Sequence, residues 1–387
     1  MSRRWLAALA FSGVVSPTLA WVYPEHRDIA VLSVEKLDAQ RKVIFDRLWA
    51  EAREGAEQRL CEQGADLSQS SQPGCIDWAA MSAISGDHSC SSAQMLDTVI
   101  YSDWILAVAD IAAKLKVDLA GIASATPPGA QPVTRATDLR RLLDTKAARA
   151  QRTNALRRAD IHLQRADPEY ATRVGSNNAH FLLARPGTDD TAEDYLRLAL
   201  SDSSELNAIG VWAWYHLGAM QKATRLAHEQ LPAAARRELA RSALADEAFS
   251  LHFLEDAFAA GHVAGTWGDV SLRKGTHDYY NEKGLEVQTW AGGATTKVLM
   301  GDAHMRPTDA ARAADAVRDS LEELLDTAAG RARSESSVHT RGFQPARTVR
   351  CVCKRAVATV AGGAQAHSRG CLAGGDSPTA GTDTGAW

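Results

Sequence analysis

The stretch HFLEDAFAAGH, residues 252–262, sets two histidines and an aspartate in an otherwise apolar run. His252 and Asp256 are four residues apart, so on a helix they share one face. His262 follows Gly261, a residue suited to ending a helix and turning the chain back. Neutral imidazoles and a carboxylate at this spacing are zinc ligands by preference. The plainer reading is a buried His–Asp hydrogen bond plus a surface histidine, since H-x-x-x-D also arises by chance. Such groups are costly to bury unless something pairs with them.

Other stretches bear on that choice. Trp21 and His26 lie in WVYPEH, Asp87 and His88 in SGDHS, His180 in NNAHF, and His277, Asn281 and Glu282 in GTHDYYNE. The elements that must position them read as helices. Residues 26–60, 77–84, 94–120, 135–167, 190–232, 234–260 and 308–329 carry apolar positions at helical spacing. Residues 61–76 and 124–132 read as loop and linker. No alternating run is long enough to suggest a strand, so the expected class is all-α.

The chain has 387 residues, 45% of them hydrophobic and 23% charged, which suits a globular protein with a substantial core. Its net charge of −4 gives no global basic field for nucleic acid. Residues 1–20, MSRRWLAALAFSGVVSPTLA, combine Arg3 and Arg4, an apolar run and a small-residue site ending at Ala20. They read as a secretory signal, with export or a periplasmic location following cleavage near Ala20. The mature chain would then begin at Trp21 and carry −6 after the loss of Arg3 and Arg4. Six cysteines fall into two groups of three, so one bridge and one leftover thiol are expected among Cys61, Cys75 and Cys90. Residues 331–387 are rich in small and polar residues and read as a low-complexity, disordered tail.

With these residues in view, the chain resembles the superfamily of zinc-dependent phospholipases C and S1/P1 nucleases. Those proteins are secreted and helical, and their mature chains begin with a tryptophan whose amino and carbonyl groups bind metal. Their H-x-x-x-D signature, followed six residues later by histidine, is reproduced by His252, Asp256 and His262. The resemblance covers roughly residues 21–290 in islands, with an insertion at about 100–170. It implies an all-α multi-helix domain over 21–330 and about three Zn2+ ions. Asp87, His180, His252 and Asp256 would hold one ion. His262 and His277 with Asn281 or Glu282 would hold another, and Trp21, His26 and Asp256 the third. Asp87 is preferred over Asp167 as the early carboxylate because it ends a helix in a tight turn, although the thirteen residues from Asp167 to His180 better suit the family spacing. At the last ligand the chain departs from the family: Asn281 stands where an acid is usual, and Glu282 comes one later. Gly261 stands where a proline is common.

The implied activity is phosphodiester hydrolysis, with Asp87 and Asp256 as candidate catalytic carboxylates and a zinc-activated hydroxide attacking phosphorus. Three readings follow: a phospholipase C-like enzyme, an S1/P1-like single-strand nuclease, and a non-catalytic zinc-binding surface protein. The expected substrates are phospholipid or single-stranded nucleic acid, with transient contact at a membrane surface and no protein partner. The five-residue step from Trp21 to His26 suits the nuclease branch; the signal, the acidic mature charge and the lack of a clear base-stacking motif favour the lipase. Trp212, Trp214 and Tyr215 around His216 would stack bases in a nuclease, although an aromatic stripe at helical spacing is usually core. The basic segment Arg135–Arg165 would meet anionic phosphates, or serve as a solvated face.

Overall fold

A computed structural model describes residues 21–63, 74–122, 135–170, 173, 178–184, 187, 189–264, 270–289 and 296–331. The signal segment 1–20, the linker 124–132 and the tail from 332 onward lie outside these residues. Twelve α-helices fill most of the described chain, joined by one two-stranded antiparallel sheet. The all-α expectation holds, with that small sheet as a correction.

The helices stop where the local chemistry says they should. α1 (Tyr23–Glu35) and α2 (Ala39–Arg53) break the expected 26–60 run, because Asp38 caps the second by accepting from the amides of Gln40 and Arg41 at 2.9 Å. α3 (Trp78–Ile84) starts at Asp77, which accepts from the Ala80 amide at 2.8 Å. α4 (Ser92–Tyr101) and α5 (Trp104–Ala120) divide the expected 94–120 helix at Ser102 and Asp103. α6 (Arg135–Ala166) matches the basic segment. α7 (Ala192–Ala199), α8 (Ala208–His228) and α9 (Ala233–Asp256) follow, then the short α10 (Ala260–Ala264). α11 (Val270–Lys283) leads into strands β1 (Leu285–Gln288) and β2 (Thr296–Leu299), paired from Leu285–Leu299 to Gln288–Thr296. α12 (Pro307–Ala328) closes the described chain.

α9 is the central post. Its last three turns are buried almost all round, against α8, α2, α3, α4 and α12. A helix that is apolar on every side belongs in a core, and Leu244, Phe249, Leu251 and Phe253 are all fully buried. Tyr215 belongs to the same core, its ring 4.5 Å from Phe249, and Trp212 stacks on His216, so the core reading of this aromatic group holds. α6 sits apart. It packs on α5 and joins Val22, Leu115 and Ala303 through Ala155 and Ala159 in a small satellite cluster. Cys61 and Cys75 are bridged, and Cys90 is disulfide-bonded too, so no described cysteine is free and the leftover thiol is not found. No described helix is long and apolar enough to cross a membrane.

Candidate metal centre

α9 ends at Asp256, with His252 one turn earlier on the same face. The chain turns through residues 257–259, where the Ala259 amide donates to the Asp256 carbonyl at 3.0 Å, and α10 delivers His262. α1 brings His26, the end of α3 brings Asp87, a 3₁₀ turn (Asn178–His180) brings His180, and α11 brings His277. All are buried: His26, His252 and Asp256 have 0% exposure, His262 and His277 1%, Asp87 and His180 3%.

Three buried groups have geometry able to hold a metal ion: His26, His252 and Asp256; Asp87, His180 and His252; and His262, His277 and Asp302. His252 belongs to two of them, so the first two groups share a wall. Trp21 adds a backbone N–H to the Asp256 carboxylate, and its indole donates to the Glu255 carbonyl at 2.9 Å.

The hydrogen bonds fix how the rings face. Four of the five histidines spend Nδ1–H on an outer acceptor, and His180 spends it on Asp256 within the centre. His26 gives it to Glu255 at 2.5 Å, and His252 to the Ser82 carbonyl at 2.9 Å. His262 gives it to the His180 carbonyl at 2.7 Å, His277 to Asp278 at 2.9 Å, and His180 to Asp256 at 2.7 Å. That leaves the Nε2 lone pairs turned inward. His26 Nε2 lies 3.4 Å from Asp256 Oδ1, and His180 Nε2 4.0 Å from Asp87 Oδ1. His277 Nε2 is 3.2 Å from Asp302 Oδ2 and 3.1 Å from His262 Nε2. Lone pairs facing carboxylate oxygens repel unless a cation lies between them.

Four of these inward atoms have no hydrogen-bond partner although they are buried, His26 Nε2, His180 Nε2, Asp87 Oδ1 and Asp256 Oδ1, and the second oxygen of Asp302, Oδ1, also has none. A buried polar atom without a partner costs about 1–3 kcal/mol, so five in one place demand an external partner. Protons serve the imidazoles poorly. Burial lowers His180 and drives His26, His252 and His262 well below the usual imidazole range. Burial also lifts Asp87 to about 7, and Asp256 and Asp302 well above the usual carboxylate range. Neutral imidazoles and carboxylates starved of positive charge are the donor set a divalent cation satisfies.

Two glycines are forced by this packing. Gly86 has φ of +67°, and a Cβ there would meet His180 Cε1 at 2.7 Å and His252 Nε2 at 2.8 Å. At Gly261 a Cβ would meet Asn281 Oδ1 at 2.5 Å and His277 Cδ2 at 2.7 Å.

The last carboxylate differs from expectation. Glu282 points away to Arg149 (2.9 Å) and Lys283 (2.7 Å). Asn281 spends its carbonyl oxygen on the Gly261 amide at 2.7 Å, and its Nδ2 lies 3.1 Å from His277 Nε2, so it braces Gly261 against His277. The acid beside His262 and His277 is Asp302, which follows β2 across the hairpin. Asp87 is placed as expected, whereas Asp167 is committed to His88 (3.0 Å) and Arg173 (2.5 Å). His88 stacks on Tyr170 with centroids 4.9 Å apart and is thereby a packed residue. Asn178 reaches Glu205 at 3.3 Å and does not orient a ligand; Asn177 lies outside the described residues. Glu255, also unforeseen, holds His26 and accepts from Ser82 Oγ at 3.0 Å.

No known family, curated protein or solved structure matches the chain.

Proposed function

We propose that the chain is a zinc-dependent phosphodiester hydrolase of the phospholipase C type, with phospholipid as its substrate. The observation that carries this reading is the trio of buried His/carboxylate groups, in which five buried polar atoms lack partners. One ion per group gives three. His26, His252 and Asp256, with the Trp21 backbone, would hold the first; Asp87 and His180, with His252, the second; His262, His277 and Asp302 the third. When bound, the ions lower the pKa of a water toward neutrality and offset the charge of a phosphate.

The protein's own groups do the rest. Glu255, Ser82 and Asp278 fix the rings of His26, His252 and His277, so the lone pairs cannot swing away. Asp256 lies between His26 and His180 and ties two groups together. Asp87 also lines a small cavity with Val22, Ile111, Leu156 and Tyr170, where a reacting oxygen would meet it. Glu25 accepts from the amides of Ala303 (2.9 Å) and Met305 (3.2 Å) and so holds the loop that carries Asp302. Every candidate ligand is buried, so substrate access requires the covering chain to shift.

The nuclease reading stays as the alternative because the five-residue step from Trp21 to His26 suits that branch. The test is a parallel hydrolysis assay on protein beginning at Trp21, with phosphatidylcholine vesicles and single-stranded DNA, added zinc and a chelator control. Chelator-sensitive release of phosphocholine is expected. Chelator-sensitive release of 5′-nucleotides instead would establish the nuclease, and inactivity on both would overturn the hydrolase reading.

A further inference from the structure

A cavity of about 590 Å³ lies outside the metal-binding groups. It opens between α1, α5, α6, the end of α11 and residues 300–307. Its size is that of a site for a small organic ligand. On a chain with net charge −4, its walls carry the opposite sign. Five cations line it: Lys116, Arg149, Arg152, Lys283 and Arg306. Three carboxylates stand against them: Glu25, Asp28 and Glu282.

Those carboxylates are already engaged. Asp28 pairs with Lys116 at 2.6 Å. Glu282 is shared by Arg149 and Lys283, one acid for two cations. Glu25 accepts from the backbone amides of Val22, Ala303 and Met305, which occupy both of its oxygens. Arg306 turns to Asp309, at 2.6 Å. Arg152 alone among the five makes no ion pair within the described residues. It donates to the Ala303 carbonyl, the residue next to Asp302. The rest of the wall is apolar, with Leu119, Ile122, Met300 and Met305.

A half-buried guanidinium that feels Glu25 and Glu282 only beyond ion-pair distance, beside two cations sharing one acid, is a preformed seat for a dianion. The apolar wall suits an organic group attached to it. We propose that this cavity is a second site, distinct from the metal centre, that binds a phosphomonoester dianion through Arg152, Arg149 and Lys283. The choice of a phosphomonoester rests on the proposed reaction, because phosphocholine and 5′-nucleotides are both phosphomonoesters. The anion site itself does not depend on that reading.

The test is calorimetric titration of the metal-loaded full chain with inorganic phosphate, phosphocholine and 5′-AMP, with metal content measured on each sample. Wild-type, Arg152→Gln and Arg149→Gln proteins are compared. Arg149 touches neither the Asp302 loop nor any metal-binding residue, so it separates loss of the anion seat from disturbance of that loop. Binding of one of the esters is expected, weakened about tenfold in each variant for the loss of one charge-assisted contact, with metal content unchanged. Equal binding of inorganic phosphate supports the seat and makes free phosphate its ligand. No binding of any probe at millimolar concentration overturns the proposal. So does binding that both variants retain, or that chelation alone removes. The titration needs no turnover, so an inactive protein leaves its outcome intact.

Discussion

α9 carries two buried acid–imidazole clusters on one helix, and they are built on opposite plans. In the first, Glu247 is fully buried and accepts from His216 Nδ1 at 2.8 Å and from Ser320 Oγ at 2.8 Å. Trp212 donates to Ser320 at 3.2 Å, and Glu323 takes the far nitrogen of His216 at 3.4 Å. Every group there has a partner inside the protein. In the second, around His252 and Asp256, the outward nitrogens are paired, whereas His26 Nε2, His180 Nε2, Asp87 Oδ1 and Asp256 Oδ1 are not. The ionisation follows the same divide. Burial pulls on His216, but Glu247 and Glu323 outweigh it and push the imidazole up to about 10. At His26, His252 and His262 burial wins, and the rings stay neutral. A structural His–acid pair closes on itself; groups able to hold a metal ion turn lone pairs and carboxylate oxygens toward one another. Burial alone does not tell the two apart, since both are equally dry.

The comparison is easiest to break at Asp256, where the largest effect is expected. Asp256→Ala removes a carboxylate facing both His26 and His180, so metal and chelator-sensitive hydrolysis should disappear together. A variant with full metal content and full activity would end the metal-centre reading. The matching change in the other cluster is His216→Ala. It strands the Glu247 carboxylate in the core, which costs about 3–5 kcal/mol. Denaturant unfolding should report that loss while metal content stays at the wild-type value. If His216→Ala instead stripped the metal, the two clusters would not be independent. A smaller effect is expected at Glu255→Gln, which keeps an acceptor for His26 but removes its charge. Metal affinity should fall about 10–100-fold, as for other partners of ligating histidines. Unchanged affinity in a competition titration would reduce Glu255 to packing.

Much of this arrangement was legible in the sequence because it is local. His252, Asp256 and His262 sit on one helix and the turn after it, so spacing alone relates them. The helical class was legible too, since periodicity survives even where caps such as Asp38 cut a helix in two. What spacing cannot relate is chain brought together across a hairpin. Asp302 reaches His277 only because β1 and β2 return the backbone, and strands of four residues leave little alternating pattern to read. Asn281 shows the opposite limit. It has the right helical offset from His277, but the offset says nothing about the Gly261 amide that claims its carbonyl. Glu255 stands in plain view between the signature residues. Its role is invisible without knowing that α1 sets His26 against the other side of α9.

Per pH unit, the smallest expected effect is the pH dependence of the closed cluster. His216 has its folded-state pKa raised from 6.5 to about 10. Below pH 6.5 both the folded and unfolded chains hold the proton, and the stabilisation is fully present. Between 6.5 and about 10 the unfolded chain has released the proton while the folded one keeps it, so stability falls as pH rises. For this one group the slope cannot exceed about 1.4 kcal/mol per pH unit. Other groups titrate in the same window, so the comparison must be a difference. The paired variant His216→Gln with Glu247→Gln replaces the ion pair by two neutral amides and leaves no stranded carboxylate. Unfolding free energies of wild type and variant, measured from pH 6 to 10, should converge as pH rises. Parallel curves would show that His216 is neutral in the folded protein. The two clusters on α9 would then differ in hydrogen bonding but not in charge.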